Sequence, residues 1–492
     1  MKKMLKFITM TDGYKVGHKP MFDALGKVST IYSNGTFRGS RIKEQEKVVF
    51  LGLQFLLQHY LMEVAEETFF SQPKKKVLDY YQRRLDGYLG PNNIGVEHIG
   101  ALHDLGYIPL EFYAVPEGTH VKLKHPAFTV ENTHPDFYWV TNYFETLISD
   151  VLWQPCTSAT TAYRYYKIFK KYADETGGNV AGIPYQGHNF SMRGMVLPEG
   201  AALSDLGHLS VFKGSDTLPT IDLIEDYYGC LDVIAQSVAA SEHSVMTLLG
   251  KEGEYYTLES LIKNQPNGFL SLVVDGFNFW KVIGEYLPKL KPSIIASNGK
   301  TIIRPDTGTP EDILCGDENH TNPFARKGLI ECLWDLFGGT INSAGYKVLD
   351  SHIGSIYGDS ITEERALAIC ARLKAKGFAC TLENFVLGIG SFTYNFVTRD
   401  THGFAIKATY GVVNDEERLI FKDPQTGDGL KKSARGRLAL IEQDGDVVLV
   451  DGLNKADHLA LMDKNLHKLV WRNSAFVRRY TWDDVRVNVM KG

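Results

Sequence analysis

The chain has 492 residues, 53 of them basic and 58 acidic, for a formal net charge of −5; 44% are hydrophobic, 12% aromatic and 23% charged. These are ordinary globular proportions, and they exclude a disordered, collagenous or coiled-coil chain. The mildly acidic balance argues against a protein that wraps long nucleic acid, and the length points to more than one core.

Six cysteines (Cys156, Cys230, Cys315, Cys332, Cys370 and Cys380) are scattered without a C-x-x-C pair. That usage fits a reducing compartment with buried thiols rather than a disulfide framework or a zinc site. Lys6, Asp12 and Lys15 interrupt the apolar N-terminal stretch before a signal-type core can form. No segment approaches the roughly 18 apolar residues of a membrane span. The expectation is a soluble, cytoplasmic protein with neither membrane nor nucleic-acid partners.

In chain order, residues 45–66 carry apolar residues at helical spacing and predict an amphipathic core helix. Pro116-Glu-Gly and Pro126 punctuate β-rich runs over 108–130, which predicts a small antiparallel sheet. Residues 138–172 return to helix. From about 180 onward, short apolar strands end in Gly or Asp and lead into helices: 271–277, 301–314, and 353–359 followed by 378–390. In the last unit Ser360 and Glu363 suggest a capping box, and Lys376-Gly377 a helix end. Thr309 and Pro310 suit the cap and first position of another helix. Repeated strand–loop–helix units predict parallel β/α architecture. Past residue 400 the texture is again β-rich, as if the N-terminal domain were being completed.

Reactive groups in such folds gather where strands end. The candidates there are Asp275, Arg304 with Asp306, Gly358-Asp359, and Gly388-Ile-Gly390-Ser391. Glycines admit backbone N–H groups to a phosphate, although they serve equally as turn punctuation. The carboxylates suit sugar hydroxyls or a hydrated Mg²⁺ that carries substrate phosphates, and equally suit helix capping. Segment 422–437 holds five basic and two acidic residues, net +3. It reads as a solvated run or, with its interleaved glycines, as a loop for a small polyanion. His243 falls in the first turns of an expected helix, where the dipole favours a neutral, nucleophilic ring; a lone histidine is more often structural. Neither H-E-x-x-H nor G-x-S-x-G occurs, so metalloprotease and α/β-hydrolase readings lack support.

Ordered motifs run almost end to end. They are Thr11-Asp-Gly-Tyr14, Glu131-Asn-Thr, Tyr138-Trp, His188-Asn-Phe190-Ser-Met-Arg193-Gly and Phe212-Lys-Gly-Ser-Asp216-Thr. The series continues with Ser241-Glu-His243-Ser, Ile303-Arg304-Pro-Asp306-Thr-Gly308, Gly358-Asp359, Thr398-Arg399-Asp400, Phe421-Lys-Asp-Pro and Lys431-Lys432. In these motifs the chain resembles the type II phosphoribosyltransferases, and within them those that act on nicotinamide. The resemblance implies attack of nicotinamide on C1 of 5-phosphoribosyl-1-pyrophosphate, giving nicotinamide mononucleotide and pyrophosphate in NAD salvage. It implies a homodimer with shared sites, in which Phe190 and Tyr14 of the partner subunit sandwich the pyridine ring. Asp216 and Arg304 then address the carboxamide, and a carboxylate in its place would meet Asp216 as a like charge. Arg193, Arg304, Gly358, Gly390 and Ser391 would hold phosphate and ribose, with Arg399, Lys407, Lys422 and Lys431 joining them. Asp306 and Asp359 would address ribose or metal-bound pyrophosphate. Mg²⁺ would be held mainly through the substrate, without a firm protein ligand. His243 would be phosphorylated by ATP, although Asn278 stands where the family usually places a carboxylate near that histidine. His243, Asp306 and Arg304 are thus the expected catalytic residues. The alternatives are a nicotinate phosphoribosyltransferase and a non-enzymatic, cytokine-like binding protein. The expected fold is α/β: an irregular β/α barrel over 156–398, and a second, discontinuous α+β domain built from 1–155 and 399–492.

Overall fold

A computed structural model describes residues 5–422 and 434–492. The chain divides into two units, Met1–Thr157 with Ile224–Cys230 and Thr398–Gly492, and Ser158–Leu223 with Leu231–Val397.

The first unit is organised on an antiparallel sheet. Among the described residues its strands run Glu416–Leu419, Phe404–Val413, Val28–Phe37, Pro126–Asn132, Leu110–Ala114, Lys468–Arg472 and Ala475–Phe476. The expected small sheet over 108–130 is therefore the middle of a larger one. Phe404–Val413 pairs along almost the whole of Val28–Phe37, so both ends of the chain complete one sheet. Helix Glu145–Thr176 begins in this unit, preceded by the short helix Val140–Tyr143.

The helix expected over 45–66 begins later. Lys47–Val49 is a strand, and helical structure starts at Leu53, after Gly52 adopts φ of +98°. The buried Glu117 carboxylate accepts from Gly52 N at 2.9 Å and Gln54 N at 2.6 Å, satisfying donors at that helix start. Hydrophobic period alone carries no information about this distant cap.

In the second unit the main sheet is parallel throughout among the described residues, and a short antiparallel pair, Gly339–Ile341 with Lys347–Leu349, stands apart from it. The strand order of the main sheet is Gly214–Ser215, Gly187–Asn189, Phe385–Ile389, Ile353–Tyr357, Asn298–Arg304, Asn267–Val273 and Ala239–Ala240. A further parallel bridge joins Gly214 to Gln236, just ahead of Ala239, and links the two edges of the sheet. The architecture is a mixed α/β fold with an irregular parallel barrel. Every residue of Ile353–Tyr357 is buried, as expected of a strand packed on both faces. Helix Glu363–Ala375 is capped by Thr362, whose side chain accepts from Arg365 N at 3.3 Å. The Ser360–Glu363 capping box is thereby corrected: Ser360 instead takes a left-handed φ of +48° and accepts from Arg365 Nη1 at 2.6 Å. Thr309 does precede Pro310–Cys315, without a side-chain cap bond.

Candidate active site

The C-terminal ends of the parallel strands present one group after another. Phe190 follows Gly187–Asn189, Asp216 follows Gly214–Ser215, and Asp275 comes two residues after Val273. Arg304 ends its own strand, Gly358-Asp359 follow Tyr357, and Gly390-Ser391 follow Ile389. Loops at this end of a barrel vary without disturbing the core, which is why chemistry collects there.

Phe190 is held by its backbone N–H, which donates to Ile389 O at 2.9 Å. Its ring lies over Gly388 and Gly358. A β-carbon at Gly388 would come within 2.4 Å of the ring, and one at Gly358 would meet it at 3.5 Å. The same position on Gly358 lies 3.2 Å from Asp306 Oδ1, so Phe190, Gly358 and Asp306 form one corner of the site. The His188 ring sits 4.6 Å from that of Phe190, two residues earlier on the same strand face.

His188 Nε2 lies 2.9 Å from Asp216 Oδ1, and Ser237 Oγ donates to the same oxygen at 2.6 Å. Among the described residues Asp216 Oδ2 has no hydrogen-bond partner. Burial works to raise the Asp216 pKa, but the bonds from His188 and Ser237, with the charge of His188 and Arg304, leave it below the ordinary carboxylate range. Arg304 donates from Nη2 to Ser241 O at 2.7 Å, while its buried Nε has no partner. Burial lowers the Arg304 pKa, against the pull of Asp306, Asp216 and Asp275.

The three strand-end carboxylates come together but differ in employment. Asp275 Oδ1 lies 3.1 Å from His243 Nε2, while its Oδ2 accepts from Asp306 N and Thr307 Oγ1, each at 2.8 Å. The Asp275 side chain is only 2% exposed, against 47% for His243, so a locked carboxylate orients a solvent-facing ring. His243 opens the short helix His243–Thr247. This corrects the expectation attached to Asn278: the histidine has its carboxylate, from Asp275, and Asn278 instead caps a helix by accepting from Lys281 N at 3.1 Å. Asp306 and Asp359 carry no side-chain hydrogen bond among the described residues. Burial, then Asp275 and Asp359, raise the Asp306 pKa against the opposing pull of Arg304.

Arg193 is exposed on the turn Met192–Gly194, near enough to Arg304 to act on its charge. That turn is tied to the Ser391–Tyr394 helix by Asn395 Nδ2, which donates to Gly194 O at 2.9 Å.

The remaining expected residues belong to the first unit. Tyr14 is 62% exposed on the turn Gly13–Gly17. Lys407 lies on Phe404–Val413, where burial and the nearby positive charges of Arg38, Lys422 and Arg399 lower its pKa. Arg38 belongs to this basic group, although local sequence offered no sign beyond its charge. Lys431, with most of segment 422–437, lies outside the described residues. Arg437 is corrected from a solvated grip to a buried structural cation. It bonds Glu131 bidentately at 2.9 and 2.6 Å and lies over the rings of Tyr32 and Tyr410.

A family model described as "Nicotinate phosphoribosyltransferase (NAPRTase) family" matches residues 185–470. The chain belongs to this family. A nicotinamide phosphoribosyltransferase of Acinetobacter baylyi is 43% identical over 96% of this chain and 95% of its own length. One from Mycoplasma pneumoniae is 32% identical over 88% of this chain and 95% of its own. Among solved structures, a nicotinate-nucleotide pyrophosphorylase from Pyrococcus furiosus aligns with a TM-score of 0.57 at 14% identity, covering 100% of this chain and 97% of that one. Human nicotinic acid phosphoribosyltransferase aligns with a TM-score of 0.53 at 13% identity, covering 98% and 93%. At such identities the structural likeness speaks for the fold. The family assignment makes the protein a phosphoribosyltransferase, and among the described residues no helix is long and apolar enough to cross a membrane.

Proposed function

We propose that the enzyme transfers the phosphoribosyl group of 5-phosphoribosyl-1-pyrophosphate to nicotinamide, forming nicotinamide mononucleotide and pyrophosphate in NAD salvage. The observation that carries this reading is Asp216. One oxygen is committed to His188 and Ser237, and the other is left to accept the N–H of a primary amide. Because the carboxyl is held ionised, a carboxylate in place of that amide meets a like charge. Arg304, which commits only Nη2 to Ser241 O, supplies the complementary guanidinium donor for the amide oxygen. Phe190 provides one aromatic face for the ring, and Tyr14 of the partner subunit the other.

The pyridine nitrogen carries a free lone pair, so no base is needed to make the nucleophile. It attacks C1 of the ribose as the bond from C1 to the pyrophosphate oxygen breaks, and the electron pair leaves with pyrophosphate. The chain contributes position and charge: Phe190 and Asp216 aim the ring, while Arg304, Arg193 and the 390–391 backbone face the phosphates. Asp306 and Asp359, two neighbouring carboxylates without hydrogen-bond partners among the described residues, fit a hydrated Mg²⁺ shared with the substrate. When bound, that ion spreads the charge gathering on pyrophosphate. Arg399 and Lys407, with Lys422 adding its charge beside Lys407, reach the phosphates from the partner subunit of a cytoplasmic homodimer.

His243 accepts the γ-phosphoryl group of ATP. With Nε2 turned to Asp275, Nδ1 is the nitrogen that attacks phosphorus while the β–γ bridging P–O bond breaks and ADP departs. Incubation with nicotinamide, 5-phosphoribosyl-1-pyrophosphate and Mg²⁺ tests the main reaction. Nicotinamide mononucleotide and pyrophosphate should appear in equal amounts, and absence of the mononucleotide would defeat the reading.

A further inference from the structure

Behind Phe190 and Asp216 lies a carboxyl group that the proposed reaction does not use. Asp205, on helix Leu197–Leu209, is fully buried. Asn189 Nδ2 donates to its Oδ1 at 2.6 Å, and Ser215 Oγ stands 2.9 Å from both Oδ1 and Oδ2. These partners are the last residues of two adjoining parallel strands, directly opposite one another in register.

Each partner passes the constraint one step onward. Asn189 Oδ1 accepts from Ser191 N at 2.8 Å, so its side chain spans Phe190. Ser215 Oγ accepts from Thr217 N at 3.0 Å, so its side chain spans Asp216. Asp216 N then donates to Asn189 O at 3.1 Å, which closes the network. Asn189 and Ser215 each donate inward to one carboxyl and accept outward from one loop, so neither can turn without losing a buried hydrogen bond. Burial pushes the Asp205 carboxyl up to about 7, opposed by Thr220, Asn189 and Ser215. Packing alone does not call for so costly a group; an apolar side chain would fill the same space.

We propose that Asp205 is a positioning residue for the pyridine-binding face: it fixes Phe190 relative to Asp216, and with them the affinity for the amide substrate, without touching that substrate. The proposal rests on the reading of those two residues as the nicotinamide clamp.

The test is steady-state kinetics of Asp205→Asn in the full chain, with nicotinamide and 5-phosphoribosyl-1-pyrophosphate varied separately. The new amide keeps the shape of the side chain but sets an N–H where one of the inward donors points. KM for nicotinamide should rise about ten-fold, the equivalent of roughly one buried hydrogen bond. KM for 5-phosphoribosyl-1-pyrophosphate should stay within about two-fold, and kcat should change less than the nicotinamide KM. A purely structural role would lower the melting temperature and leave the two KM values in proportion, and that result overturns the proposal. Ser215→Ala keeps the carboxyl and removes one link, so it decides the matter if Asp205→Asn does not fold. An unchanged nicotinamide KM in a folded Ser215→Ala variant is then the contrary result. Wild-type enzyme that makes no nicotinamide mononucleotide defeats the functional reading itself; an active wild type whose variants show no KM split defeats only the positioning role.

Discussion

His188 Nε2 and Asp216 Oδ1 stand 2.9 Å apart at the ends of adjoining strands, and this pairing leaves a single carboxylate oxygen facing the site. Asp216→Asn removes the charge and keeps the shape. A hydrogen bond to a charged group contributes about 1.5–3 kcal/mol, so kcat/KM for nicotinamide should fall by about 10- to 100-fold. The ratio of nicotinic acid to nicotinamide activity should rise at the same time, because the like-charge penalty is gone. Parallel kinetics on both substrates measure the shift; an unchanged ratio would mean that Asp216 does not select the amide.

Gly388 leaves no room for a side chain beneath Phe190: a β-carbon there would lie 2.4 Å from the ring and 2.8 Å from Gly358 Cα. Gly388→Ala should tilt the ring and raise the nicotinamide KM by about ten-fold, the cost of roughly 1–2 kcal/mol expected from overpacking. Folding should survive, as judged by the circular dichroism spectrum. A variant with native KM would show that Phe190 is not the stacking face.

Asp275 fixes the ring of His243 from one side. Acid-labile phosphate from ATP labelled at the γ position should enter the wild-type protein and be absent in His243→Ala. Asp275→Asn should incorporate it at least about ten-fold more slowly, as expected when an orienting partner is lost. Label that persists in His243→Ala would remove the phosphoryl-acceptor role.

A row of side chains crosses the antiparallel sheet in register: Tyr410, Tyr32, Glu131, Glu111 and Arg472. Arg437 neutralises Glu131, whereas Glu111 is raised well above the usual carboxylate range by burial and by Glu131, against the pull of Arg472. The folded state therefore keeps a proton that the unfolded chain releases above a pH of about 4.5, the ordinary glutamate value. Stability conferred by that proton is present in acid and declines as pH rises toward neutrality. Glu111→Gln should flatten this decline, gaining on the order of 1–2 kcal/mol relative to wild type between pH 5 and pH 8. Denaturant melts at the two pH values measure it; equal slopes for both proteins would contradict the assignment.

Much of this was legible in the residues themselves. Strand–loop–helix units announced the parallel sheet, because apolar runs ending in Gly or Asp are where such strands stop. The same units located Asp275, Asp306 and Asp359 at strand ends. Partnerships were not legible. That His243 meets Asp275 rather than Asn278 depends on how two loops fold back, and hydrophobic period is silent on that. Arg437 looked like one more charge in a basic run, but its opposite number, Glu131, lies in a distant part of the chain. Asp205 gave no sign at all, since an acid within a helix ordinarily faces water.

Selection of a neutral amide over an acid is tested most directly by wild-type kcat/KM for nicotinamide and nicotinic acid under matched 5-phosphoribosyl-1-pyrophosphate and Mg²⁺. Nicotinamide should be preferred by at least about 100-fold, as a repelled carboxylate and a lost charge-assisted hydrogen bond together require. Equal or greater activity on nicotinic acid would contradict it.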